Sequence, residues 1–233
     1  MLVGCNQPVG VPNDVQTATT HTLYMTTDNF MDPTGHIDWY QPPGETSAVW
    51  WYYTFNYYEI ERAFRYYDQP PLPPDTMLAH PRKNGFYIFR IPPFTCNNPP
   101  ACTLFYYQDS HNGSPDLLVN AWYPGTEATW PPLYQTDLND YFWAIWNSTD
   151  TVATDITHPN DGCWYKVPLT SWACQAIRDS GAWHYQHDPN GCAWFWTGWK
   201  YPSYSPNHGQ HGWFTNVSGY NANPPYVKVV YEN

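Results

Sequence analysis

Twenty-five prolines run through this chain of 233 residues, and they limit what it can build. A proline has no backbone N–H and fixes φ, so it is excluded from helix interiors and from central strands. Regular elements must therefore be short, and the prolines must fill loops and sheet edges. The residues left for those elements are unusually aromatic: 14 Trp, 21 Tyr and 10 Phe, while charged residues make up only 12%. Rings fit a pleated, half-buried surface better than a helix. Short strands joined by long Pro- and Gly-marked loops imply an all-β fold, a β-sandwich or jelly roll. High proline is also a mark of disorder, but disordered chains lack such aromatic and β-branched content.

Residues 1–20 are polar and weakly periodic, which reads as an N-terminal arm. Residues 21–233 show no linker composition and no internal repeat of fixed period, and read as a single β-rich domain. Asp32-Pro33-Thr34-Gly35 reads as a turn. Residues 48–60 form the longest strand candidate, aromatic on both faces, and residues 59–67 read as one or two helical turns. Further strands are expected over 86–91, 103–108, 117–123, 140–147 and 225–231.

Cys163 to Trp199 carries the strongest local signals. One short helix is expected at about 170–180, capped by Thr170 or Ser171 and stopped by Gly181. A hairpin is then expected, with Ala182–His187 and Cys192–Trp199 as strands around Asp188-Pro189-Asn190-Gly191. That pairing puts Trp183, Tyr185, Trp194 and Trp196 on one face, which their size implies is core.

The net charge of −11 disfavours nucleic acid and anionic membrane surfaces as partners. No apolar run reaches the roughly 20 residues of a membrane span, so membrane insertion is not expected. The first residues, Met1 to Cys5, lack the basic start and apolar stretch of a secretory signal. The even number of cysteines nevertheless suggests a disulfide framework. Cys96–Cys102 is the expected clip across a short polar loop. Cys5, Cys163, Cys174 and Cys192 leave three pairings open, among them Cys163–Cys174. Sequons begin at Asn112, Asn147 and Asn216. Pro115 should hinder the first, so Asn147 and Asn216 are the expected glycan sites. Cysteines and sequons together point to an extracellular location, or to a cell or virion surface.

Aromatic rings stack on the C–H patches of sugars, while nearby polar groups bind hydroxyls. Trp199, Tyr201, Tyr204, Trp213 and Tyr220 lie in a Gly-, Pro- and Ser-rich stretch and are the expected ligand-facing rings. The plainer reading is that they fold back over a sheet end. Catalysis has weak candidates only. Glycoside hydrolysis needs two carboxyl groups across the sugar, and Glu59 and Glu127 both sit among aromatics. The plainer reading, which is preferred, is that they are exposed strand-end charges. His208 and His211 could bend onto a metal in a flexible loop, whereas His184 and His187, three apart on a strand, should face opposite ways. No nucleophile elbow and no phosphate-cradling loop is present, and no cofactor is implied. The reading that follows is a secreted or surface-exposed glycoprotein that recognises carbohydrate. The alternatives are a structural subunit of an extracellular or viral assembly, with other copies of itself as partner, and a polysaccharide-cleaving enzyme.

Overall fold

The computed structural model describes residues 19–27, 34–40, 49–54, 60–66, 82–112, 116–121, 140, 143–145, 147–156, 158–200, 214–218 and 223–233. It is an all-β fold. Its strands are β1 (Thr20–Thr26), β2 (Thr34–Tyr40), β3 (Val49–Thr54), β4 (Ile60–Tyr66), β5 (Arg82–Ile91), β6 (Ala101–Asn112) and β7 (Asp116–Ala121). They continue as β8 (Thr151–Ile156), β9 (Cys163–Pro168), β10 (Ala193–Lys200), β11 (Phe214–Ser218) and β12 (Tyr226–Glu232). The hydrogen-bonded path runs β1-β12-β6-β11-β4-β5-β10-β7-β8. Off it, β9 pairs with β6, while β2 pairs with β3 and β5. The pairings are antiparallel. Among the described residues both chain ends are tied together, because β1 lies along β12 from Thr20 opposite Glu232 to Thr26 opposite Tyr226.

Alternation decides which side of each strand is inside. On β6, Cys102, Leu104, Tyr106 and Gln108 are buried, while Thr103, Phe105 and Tyr107 are not. Val227 and Val229 of β12, Met25 of β1 and Val167 of β9 join the same buried side, as do Tyr87, Phe89 and Ile91 of β5 and Phe195 and Trp199 of β10. Trp199 sits at the centre, edge-on to Tyr87 at 5.4 Å and to Tyr106 at 5.0 Å. A buried indole N–H needs an acceptor. Here it donates to Thr197 Oγ1 at 3.2 Å, and that hydroxyl donates to the Tyr87 carbonyl at 3.3 Å.

The paired strands β5 and β10 are buried on both faces. Phe86, Ile88 and Trp196 point away from the main core yet are almost wholly covered. Ile145 covers this second face so closely that a side chain at Gly198 would collide with it.

The helix Ser171–His187 lies against β5 and β10. Thr170 caps it: its Oγ1 accepts from the Ala173 N–H at 3.4 Å and donates to the Thr151 carbonyl at 3.1 Å. Ala173, Cys174, Ile177 and Gly181 form its buried stripe. The expected stop at Gly181 is corrected, since the helix runs on to His187. A Cβ on Gly181 would strike the Phe94 ring, so this glycine serves close packing and not termination. Asp188 and Pro189 end the helix, because the residue before a proline is pushed out of the helical region.

The expected hairpin is therefore wrong in its first half. Ala182–His187 is helical, Trp183 and Tyr185 are 54% and 57% exposed, and they share no core face with Trp194 and Trp196. A six-residue stretch of alternating rings is too short to distinguish a period of two from 3.6. The second half does form a strand, β10. Two further expectations are corrected. Residues 140, 143–145 and 147 are helical, not part of a strand, and β4 replaces the helical turns expected over 59–67. Thr34 and Gly35, read as a turn, open β2. No described helix is long and apolar enough to cross a membrane.

Candidate functional site

β1, β12, β6 and β9 are neighbours in that order, and their core-facing residues have been named. The opposite side of the same strands carries five aromatic rings in mutual contact. Tyr226 of β12 lies opposite Phe105 of β6, and the two rings stack at 4.7 Å with planes 9° apart. Tyr24 of β1 meets Tyr226 edge-on at 5.9 Å. Trp164 of β9 meets Tyr226 at 5.8 Å and Tyr107, directly opposite it on β6, at 5.7 Å. Three strand spacings separate β1 from β9, so the row is about 14 Å across.

These rings are not core. Tyr24 is 55% exposed and Trp164 44%, while Phe105, Tyr107 and Tyr226 are half-buried by each other. Cross-strand ring pairs of this kind hold one another in place and stabilise the sheet by roughly 0.2–1 kcal/mol each. The row is therefore a fixed apolar surface in which Phe105 and Tyr226 cover each other's faces, and its exposed rings are Tyr24 and Trp164. Its fringe is polar: Thr22 and Thr26 beside Tyr24, Thr103 on β6, Lys228 on β12 opposite Tyr24 and Thr103, and Lys166 on β9 opposite Phe105. Two of the chain's four lysines thus share this face, on a protein of net charge −11.

Underneath, Gln108 fixes the turn that leads into β9. It is fully buried, donates from Nε2 to the His158 carbonyl at 2.9 Å and to Asp161 Oδ1 at 3.1 Å, and accepts from the His158 N–H at 3.3 Å. The His158 ring stacks on Tyr165 at 3.6 Å. Trp164 thus projects from a strand whose start is anchored on both sides.

The site differs from the one expected in the 199–220 stretch. Trp199 is wholly buried, a central core ring and no ligand platform. Its flanking strands β5 and β7 enclose it. Tyr201, Tyr204, Trp213 and Tyr220 lie outside the described residues, as do Glu59, Glu127, His208, His211 and Cys5. His184 and His187 lie on the helix: His184 Nδ1 is 3.9 Å from Asp188 Oδ2, and His187 stacks on Trp183 at 4.9 Å. Among the described residues no three His, Cys, Asp or Glu side chains converge as metal ligands. Asn147 is exposed, and Asn216 stands in β11 between β4 and β6.

Cys96, Cys102, Cys163, Cys174 and Cys192 are free thiols. Cys163–Cys174 is excluded by the register. Cys163 faces Gln108, whereas Cys174 contacts Cys102, six residues and about 20 Å further along β6. The expected Cys96–Cys102 clip is likewise not formed: both are free thiols, and Cys102 is turned into the core.

The strands over 103–108 and 225–231 are legible in the sequence, but not which side of them is outside. The usable signal was on β12, where Lys228 shares a parity with Tyr226 while Val227 and Val229 take the other; on β6 the buried Gln108 hides it. No protein-family model matches this chain, and a comparison with curated proteins finds no significant match.

Proposed function

We propose that this chain is a secreted or surface-exposed glycoprotein, and that the aromatic row on β1, β12, β6 and β9 recognises carbohydrate. The observation that carries the reading is the row itself: five touching rings, of which Tyr24 and Trp164 are exposed, fringed by hydroxyl and amino groups. Sugar C–H faces stack on such rings, and Thr22, Thr26, Thr103, Lys166 and Lys228 supply donors for hydroxyls or acidic substituents. The exposed sequon at Asn147 supports the glycoprotein part. A glycan array probed with the full chain, in parallel with its Trp164→Ala variant, tests the reading. Binding by the parent and its loss in the variant is the expected result.

A second reading is a structural subunit of an extracellular or viral assembly. Trp172, Trp183 and Tyr185 on the helix are also largely exposed. Apolar surface on that scale favours an interface between copies. Light scattering on the purified chain separates the two. A stable oligomer without glycan binding supports the second.

A further inference from the structure

We propose that Cys102 and Cys174 are a disulfide site, which on oxidation staples the first turns of the Ser171–His187 helix to β6. The two thiols come from different elements and meet in the core, where both are almost fully buried. Each thiol shifts the titration of the other, as neighbours in the same core cluster do. The backbone holds them there. The Leu169 N–H donates to the Cys102 carbonyl at 2.9 Å, and Cys174 Sγ donates to the Leu169 carbonyl at 3.8 Å. Leu169 thus bridges strand and helix at the point where the thiols touch. No other described cysteine fits as well. Cys163 opens β9 opposite Gln108, far from Cys102 along β6, and Cys192 follows the helix at its other end. Cys96 lies close enough to influence Cys102, but it is only half-buried at the edge of the core cluster that holds both Cys102 and Cys174.

The pair is also chemically asymmetric. The Cys174 thiol is lowered to about 7, first by the Cys102 side chain beside it and further by the backbone of Cys102 and of Cys174 itself, against the opposing effect of burial. Cys102 is raised, by the Cys174 side chain and by burial. Cys174 stands in the first turn of the helix, where the N-terminal dipole favours a thiolate, and serves as the attacking sulfur, with Cys102 resolving. With a small disulfide such as oxidised glutathione, Cys174 thiolate attacks one sulfur and a glutathione thiolate leaves. Cys102 then loses its proton to that thiolate and attacks Cys174 Sγ, and the second glutathione leaves. Two cysteines are oxidised and one glutathione disulfide is reduced to two thiols. Because both sulfurs are buried, a local opening of the helix start admits the oxidant, and closure then seals the bond. The bond closes a loop of about 70 residues, a length at which cross-linking restricts the unfolded chain strongly.

The test is peptide mapping of the full chain after equilibration with oxidised glutathione, quenched in acid and alkylated in denaturant. Trypsin and chymotrypsin together place Cys163 and Cys174 in peptides separate from Cys102, and fragmentation separates Cys96 from Cys102. The expected result is a Cys102–Cys174 cross-link that persists in Cys96→Ser, with a thermal midpoint higher than that of the reduced chain. A Cys96–Cys102 cross-link, or alkylated Cys102 and Cys174 after equilibration, overturns the proposal. Mapping of the parent chain decides the matter even where a Cys174→Ala variant fails to fold.

Discussion

The ring of Phe94 occupies the space that a side chain on Gly181 would need, and the Phe94 N–H donates to the Gly181 carbonyl at 3.3 Å. A mid-helix glycine ordinarily costs about 1 kcal/mol relative to alanine. On propensity alone, Gly181→Ala would stabilise. The packing argues the opposite sign: the added methyl must displace a ring that also rests on Tyr231 at 5.1 Å. We expect Gly181→Ala to destabilise by roughly 1–3 kcal/mol in urea titration. Adding Phe94→Leu should recover part of that loss, whereas two independent effects would simply sum.

Thr170 does two tasks with one hydroxyl, capping the helix and bonding the Thr151 carbonyl of β8. Thr170→Ala should cost about 1–2 kcal/mol, and Thr170→Ser much less, since the oxygen is kept. Equilibrium denaturation of the two variants side by side checks this. Equal losses would show that the methyl, not the hydroxyl, matters.

Gln108 is buried and holds the His158–Asp161 turn through its amide. Gln108→Leu keeps the volume but leaves the His158 N–H without its acceptor. The expected cost is about 1–3 kcal/mol, with faster hydrogen exchange at His158. Unchanged exchange there would show that the turn is held by other contacts.

The tryptophans of Cys163 to Trp199 should behave oppositely. Trp199→Ala empties the centre of the core and should cost roughly 3–5 kcal/mol. Trp183, on the open side of the helix, should tolerate alanine within about 0.5 kcal/mol. Thermal melts of the two variants suffice, and a silent Trp199→Ala would contradict the packing described.

How far the sequence disclosed this arrangement depended on where the deciding contact lay. β6 and β12 could be read because their alternation is a local property of consecutive residues. The helix beyond Gly181 could not, because its continuation depends on Phe94, which is remote in sequence. β9 was missed because Trp164 and Tyr165 put rings on both parities, which hides the period of two. The site inherits these limits. Three of its five rings, Phe105, Tyr107 and Tyr226, lie in segments read as strands, but their grouping requires β12, β6 and β9 to be neighbours. No local pattern carries that adjacency. Trp199 was misplaced for the related reason that β10 ends one residue after it, so a core ring stood at the border of a loop-like composition.

The central claim is that the outer aromatic row binds carbohydrate, and titration of Trp164→Ala against the parent tests it most directly. A glycan found on the array is titrated calorimetrically into both, with thermal melts to confirm folding. Trp164 is largely exposed, so the variant should melt within a few degrees of the parent. Loss of one stacking ring should weaken binding by roughly 1–2 kcal/mol, about 5- to 30-fold in Kd. Equal affinity in a folded Trp164→Ala chain would contradict the account and place any glycan site elsewhere.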